Sequence, residues 1–166
     1  MPKLIKQGAI IDDDWTLIEA LADDAALPAG RVILPLRAFE ARREALADQG
    51  GLGVWLNSDE EPSRLQDVLA QFAVIAINFP AFTDGRGYSY AQLLRQRYDY
   101  KGEIRAVGDV LRDQLFYMKR CGFDAFDLRA DQDPNTCLGA FNDFSDSYQA
   151  AVDQPSPLFR RRLASQ

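Results

Sequence analysis

A strand-then-helix rhythm that starts at Arg31 and repeats five times constrains this chain more than any other feature. Residues 31–36 (RVILPL) read as a buried strand, and 38–49 (AFEARREALADQ) as a helix that Gly50-Gly51 terminates. Residues 52–56 (LGVWL) are the next strand. Ser58-Asp59-Glu60-Glu61 resembles a capping box ahead of Pro62, and Leu65, Val68, Leu69 and Phe72 then recur at helical spacing. Residues 74–78 (VIAIN) form a third strand, and Ser89 with Gln92 predicts a second capping box and a helix to about Tyr98. Residues 103–108 (EIRAVG) are the fourth strand. Asp109 is placed to cap a helix over 110–121, whose Leu111, Leu115 and Met118 face inward and which Gly122 ends. Residues 123–129 (FDAFDLR) are the fifth strand, and Asp133-Pro134 opens a last helix with Cys137, Phe141, Phe144 and Tyr148 on one face.

Such alternation predicts an α/β fold: a mostly parallel sheet of about five strand–helix units joined by right-handed crossovers. Two closures fit. One is an open sheet in helix–sheet–helix layers; the other is a partial barrel, since five units fall short of eight. The first three strands are largely apolar, as a sheet covered on both faces requires, which favours the open sheet. The last two alternate. Glu103 and Arg105 share a face, as do Asp127 and Arg129, and that polar face lines either a barrel-like interior or an exposed edge. Ahead of the rhythm, residues 1–30 read differently. Short extended runs around Gln7-Gly8 predict an antiparallel β-hairpin, and Asp12-Asp13-Asp14 a solvated acidic turn before Trp15. Residues 1–153 are expected to form a single domain, with 154–166 a flexible tail broken by Pro155 and Pro157.

Composition enters when chemistry is asked for. The sequence holds no histidine and two cysteines. That removes Ser-His-Asp and Cys-His catalysis, His-ligated zinc or haem, and a four-cysteine cluster within one chain, so no metal or cofactor site is expected. The net charge of −6 argues against nucleic acid as a partner. No segment reads as a membrane span or an export signal, so the expected location is cytoplasmic, with both thiols reduced. Cys121 ends one helix and Cys137 begins another, which puts them at opposite ends of the sheet, too far apart for a disulfide. Cys137, near a helix N-terminus, is the better candidate for a reactive thiol.

In parallel α/β folds, ligands bind outside the carboxyl ends of the strands. The longest loop there runs from Asn78 to Ser89. Its Gly85-Arg86-Gly87-Tyr88-Ser89 segment offers backbone N–H groups and a guanidinium to an anion, a phosphate or a sulfur oxyanion. Pairing of Arg86 with Asp84 in a tight turn is the alternative. Arg105 and Arg129 are further anion-binding candidates, and with histidine absent Asp84 and Asp109 are the candidate general acid or base. Arg129 is equally suited to a salt bridge with Asp109 or Asp127.

The run from Phe79 through Pro80-Ala81-Phe82-Thr83-Asp84-Gly85-Arg86-Gly87-Tyr88-Ser89 continues in Leu93-Leu94-Arg95 and in Tyr100-Lys101-Gly102-Glu103-Ile104-Arg105-Ala106-Val107-Gly108-Asp109-Val110-Leu111. It closes with Asp113-Gln114-Leu115 and Arg120-Cys121-Gly122-Phe123-Asp124-Ala125-Phe126. This pattern resembles the bacterial DUF934 family, a domain of unknown function described as an oxidoreductase of sulfite reduction. The resemblance implies a cytoplasmic role in sulfate assimilation and cysteine biosynthesis, beside a sulfite reductase haemoprotein. Sirohaem and iron–sulfur centres are then expected in that partner only. The leading expectation is an accessory protein or oxidoreductase component of sulfite reduction with an anion-binding Gly-Arg-Gly loop. Two alternatives stand beside it. One is an independent enzyme on a small phosphorylated or sulfonated substrate; the other is a non-catalytic scaffold whose sheet a second copy completes as a homo-oligomer.

Overall fold

A computed structural model describes residues 2–22, 25–47 and 49–164. Its strands are β1 (Lys3–Lys6), β2 (Ala9–Asp12), β3 (Trp15–Leu17), β4 (Arg31–Pro35), β5 (Leu52–Leu56), β6 (Phe72–Phe79), β7 (Glu103–Gly108) and β8 (Ala125–Phe126). They form one sheet in the order β2-β1-β8-β7-β6-β5-β4-β3. From β3 to β8 each strand lies parallel to the next in the chain. The β1–β2 hairpin turns at Gln7-Gly8, both at positive φ, and β1 adds antiparallel to β8 with Ile5 opposite Phe126.

This order corrects the expectation of helix–sheet–helix layers. Helices reach both faces of a parallel sheet only if the strand order reverses, and here it never does. Crossovers of one hand then put every helix on the same face. The core agrees. Val32, Leu34, Val54, Leu56, Ile75, Ile77, Phe79, Ile104 and Phe126 pack with helical Phe39, Leu65, Tyr90, Leu94, Leu115 and Met118. Among the described residues the apolar cluster on the opposite face comes from strands: Ile33, Val74, Ala76 and Val107, with Trp15, Leu17 and Trp55 against them. The sheet curls around that second face as a half-barrel of eight strands, three more than the rhythm counted. The apolar strands misled because the concave lining is itself apolar over β4–β6.

The helical layer consists of α1 (Leu36–Ala41), a 3-10 helix (Pro62–Gln71), α2 (Arg86–Gln92), α3 (Leu115–Cys121), α4 (Pro134–Cys137) and α5 (Leu158–Ala164). Several differ from expectation. The first helix stops at Ala41 and turns follow, while Asp48 near its expected end lies outside the described residues. The Asn78–Ser89 loop is shorter than expected, because α2 starts at Arg86 rather than Ser89. Asp84 accepts the Arg86 backbone N–H at 3.2 Å, so the start is set upstream of the Ser89–Gln92 pair. A π-helical turn, Leu93–Arg97, prolongs α2. Its Arg95 donates to the carbonyls of Tyr100, Gly102 and Gly122, stapling the amino ends of β7 and β8. Asp133 caps α4 as expected, but a 3-10 turn ends that segment at Asn142, so Phe144 and Tyr148 are exposed rather than core-facing. The segment after Pro157, expected as tail, forms α5, with Arg161 bonded to Ser156 and Ser147 carbonyls and to Asp146. Among the described residues no helix is long and apolar enough to cross a membrane.

Candidate functional site

Alternation along β7 sends Glu103, Arg105 and Val107 to the concave face and Ile104 and Ala106 to the helical core. β7 lies between β6 and β8 inside the sheet, so the polar pair is buried rather than at an edge. Charges in that setting need partners. Arg105 Nε donates to Glu103 at 2.7 Å and its Nη1 to Asp13 at 2.8 Å, while Lys6 meets the other Glu103 oxygen at 2.6 Å. The three aspartates of the acidic turn thus part company. Asp12 pairs with Lys3, Asp13 with Arg105 and Asp14 with Arg31, which ties the β2–β3 connection across the concave face. Two cations and two anions cancel in this Lys6–Glu103–Arg105–Asp13 chain.

Nearer the carboxyl ends of the strands the same face opens into a cavity of about 510 Å³. Leu17 and Glu19 line it from the end of β3, Trp55 from β5, Asn78 from β6, Val107 and Gly108 from β7, and Asp127 from just past β8. This is where parallel α/β folds hold ligands, and the size suits a small molecule. Gly108 sits at φ +92, and a Cβ there would stand 2.4 Å from Asn78 Oδ1 and 2.6 Å from the Phe79 carbonyl oxygen. Only glycine lets β7 leave the sheet so close to Asn78. The Asn78 amide nitrogen donates to Asn57 Oδ1 at 3.0 Å, which fixes its carbonyl oxygen toward Gly108. The Trp55 indole N–H is given to the Ile18 carbonyl at 2.9 Å, which pins the ring.

Asp127 is the unusual group. It is half-buried, and no described residue forms an ion pair or side-chain hydrogen bond with its carboxyl group. Burial pushes its pKa above the usual carboxylate range; Arg105 opposes that shift and Asp13 adds to it. A carboxyl group near a cleft, with a raised pKa and no partner, can give or take a proton where a paired one cannot.

The loop residues read from the sequence form a separate cluster on the rim. Arg86 binds Asp84 twice, Nε to Oδ1 at 3.0 Å and Nη2 to Oδ2 at 2.7 Å, and reaches Ser58 Oγ at 2.9 Å. That guanidinium holds the Asp84 carboxyl far below the usual range. The Tyr90 hydroxyl donates to the Ser58 carbonyl, so the loop after β5 is clamped to α2. Gly87 answers to packing: a Cβ would lie 2.7 Å from Phe79 Cζ and 3.0 Å from Ile77 Cγ2. At the N-cap a Cβ on Gly85 would meet only Tyr88 Cδ2, at an ordinary 3.9 Å, and Ser89 lies inside the helix. Tyr88 packs between Phe79 and Tyr117, with centroids at 5.2 and 5.1 Å, and burial raises its pKa.

Asp109 does not cap a helix. It accepts the Phe82 N–H at 2.8 Å and Arg129 Nη1 at 2.6 Å, and Gln114 instead accepts the Leu111 N–H ahead of α3. Arg129 also binds Asp131 through Nε and Nη2, so two carboxylates occupy its guanidinium, which holds the Asp131 pKa at about 2. Cys137 is buried at the end of α4, its pKa raised by burial, as is that of buried Cys121, and both are free thiols. Of the residues singled out from sequence, the structure brings only Asn78 to the cavity wall. Sequence reasoning missed Leu17, Glu19 and Trp55; it placed Val107 and Gly108 at the end of the fourth strand, and Asp127 on a polar face, without giving them a role. The alternation Asp127/Arg129 beside Glu103/Arg105 was the signal that marked this face.

A sequence model of the family described as bacterial protein of unknown function (DUF934) matches residues 53–159. No curated protein and no solved structure matches the chain.

Proposed function

We infer a role for this chain, which belongs to the DUF934 family: it is an accessory protein of assimilatory sulfite reduction that holds a small ligand in its concave mouth. It works in the cytoplasm beside the sulfite reductase haemoprotein, and the sirohaem and iron–sulfur centres are the partner's. The likeness that runs from Phe79 to Phe126 supports the pathway. A sequence with no histidine and two buried thiols supports leaving the redox metals to the partner. The net charge of −6 suits docking against a basic face.

One observation carries the ligand half of the reading: the unpartnered, half-buried Asp127 on the wall of a cavity at the carboxyl ends of five strands. Arg86 and Arg129, the cations a sulfur oxyanion would seek, are already held by carboxylates, so the rim loop serves as a clamp on the mouth. The test is genetic and biochemical together. A deletion strain grown on sulfite as sole sulfur source should form sulfide slowly and recover with the wild-type gene. Asp127→Asn, although folded, should not restore it. Sulfide formation unchanged by the deletion, with no association of the purified chain with the reductase, overturns the pathway. Full rescue by Asp127→Asn overturns the site.

A further inference from the structure

Apart from one amide N–H of Asn78, the polar side-chain groups left uncommitted on the cavity wall are hydrogen-bond acceptors. Asp127 and Glu19 are carboxylates that no described residue pairs. Asn78 spends one of its two amide N–H groups on Asn57 and keeps the other beside its carbonyl oxygen. Trp55 spends its indole N–H on Ile18, so it offers ring carbon surface, and Leu17 and Val107 complete an apolar wall. Deeper on the same face, Arg105 is ion-paired with Glu103 and Asp13, and its charge only partly offsets the burial of Asp127. The cavity therefore carries two unpaired carboxylates, one of them the exposed Glu19, with a third acceptor and an aromatic face, against a single free side-chain N–H on Asn78.

We propose that this cavity binds a small organic cation, an ammonium or guanidinium carried on a short apolar stem. The head would sit between Asp127, Glu19 and the Asn78 oxygen, and the stem would lie along Trp55, Leu17 and Val107. A cation supplies what each wall lacks. Its N–H groups meet acceptors that face no donor, its charge balances two carboxylates, and an indole face attracts it as well. An anion would meet two carboxylates and a carbonyl oxygen against that one N–H. The proposal rests on the reading of this mouth as a ligand site and adds the chemical class of the ligand.

The experiment is calorimetric titration of the full chain with butylammonium, with butyrate as the anion of equal stem and butanol as the neutral control. A Trp15→Phe variant, which leaves Trp55 as the single indole, gives a fluorescence readout of the same site. Butylammonium should bind with a dissociation constant near or below ~1 mM, and butyrate and butanol should not. Asp127→Asn and Glu19→Gln should each weaken it about tenfold, the loss of one charge-assisted hydrogen bond. Trp55→Leu should weaken it about threefold. Agmatine and an acetylated Gly-Lys-Gly amide separate the sources of the cation. Tighter agmatine binding assigns it to a free amine, and tighter peptide binding to a protein side chain.

Butyrate binding as tightly as butylammonium overturns the ligand class and leaves the mouth a ligand site. Absence of saturable binding by any of the three overturns both. Affinity for butylammonium unchanged in Asp127→Asn overturns the proposed seat. Slow sulfide formation in the deletion strain, read separately, is untouched by any of these results.

Discussion

Asp127 and Arg105 stand for two ways a buried charge is tolerated. Arg105 is surrounded by ions that cancel it, whereas Asp127 is left to hold its proton more tightly than an exposed carboxyl group would. The sign of the consequence follows. Because the folded state binds this proton more tightly than the unfolded chain, stability from Asp127 is full below the ordinary carboxyl range. It declines as pH rises through the raised value. Asparagine does not titrate. Asp127→Asn should therefore be more stable than wild type at about pH 7, with the gap closing toward about pH 4, as thermal melts across that range would register. A residue whose isostere stabilises the fold is one kept for another purpose. Arg105→Ala should do the opposite, costing about 3–5 kcal/mol in urea unfolding, because it strands Asp13 and leaves Glu103 with Lys6 alone in the concave interior. The sequence made the polar face of β7 visible through the Glu103/Arg105 alternation. It could not show that Asp13, ninety-two positions away from Arg105, would be its partner.

Among the elements, the strands were the legible part. Residues 31–35, 52–56 and 103–108 emerge as β4, β5 and β7, because apolar runs bounded by glycine and charge have few other uses. The last strand shrinks to two residues, since its Asp124 side chain is drawn to the Ile104 N–H at 2.7 Å and its Arg129 to the rim. Helix starts were the illegible part. At α2 the Ser89…Gln92 spacing matched a cap, but Asp84 and the packing of Gly87 on Phe79 decided the start three residues earlier. The two glycines of that segment should separate cleanly. Gly87→Ala should cost about 1–3 kcal/mol by driving a methyl into Phe79 and Ile77. Gly85→Ser should gain a few tenths of a kcal/mol as a better N-cap. Chemical denaturation of both variants checks the pair. In hydrogen exchange, β5–β7 should be the slowest amides and β2 and β3, at the two edges, the fastest.

At the scale of the molecule, nothing in the apolar pattern distinguished one covered face from two, because the concave side is lined by Ile33, Trp55 and Val74 as an outer helix layer would have required. Strand order carries that information, and strand order is a property of pairings rather than of segments. The edges matter most to the whole. β1 and β2 cover the side of β8 that would otherwise stand open. Removing residues 1–12 should leave a chain that aggregates, seen as loss of the monodisperse species in light scattering. The proposed docking of the acidic chain on a sulfite reductase carries a salt prediction: co-purification should weaken as the Debye length falls from about 10 Å at 0.1 M to about 3 Å at 1 M.

The pairing of Ile5 with Phe126 also sets a timetable. A ribosome makes β1 and β2 before the other strands of this sheet, yet their neighbour β8 is the last of them to be made. The parallel strands between them can add one by one as they emerge, each beside its predecessor, while the opening hairpin waits. Its apolar Leu4 and Ile5 stay unburied throughout that interval. For a nascent chain this is the longest wait between neighbouring strands that the sheet imposes.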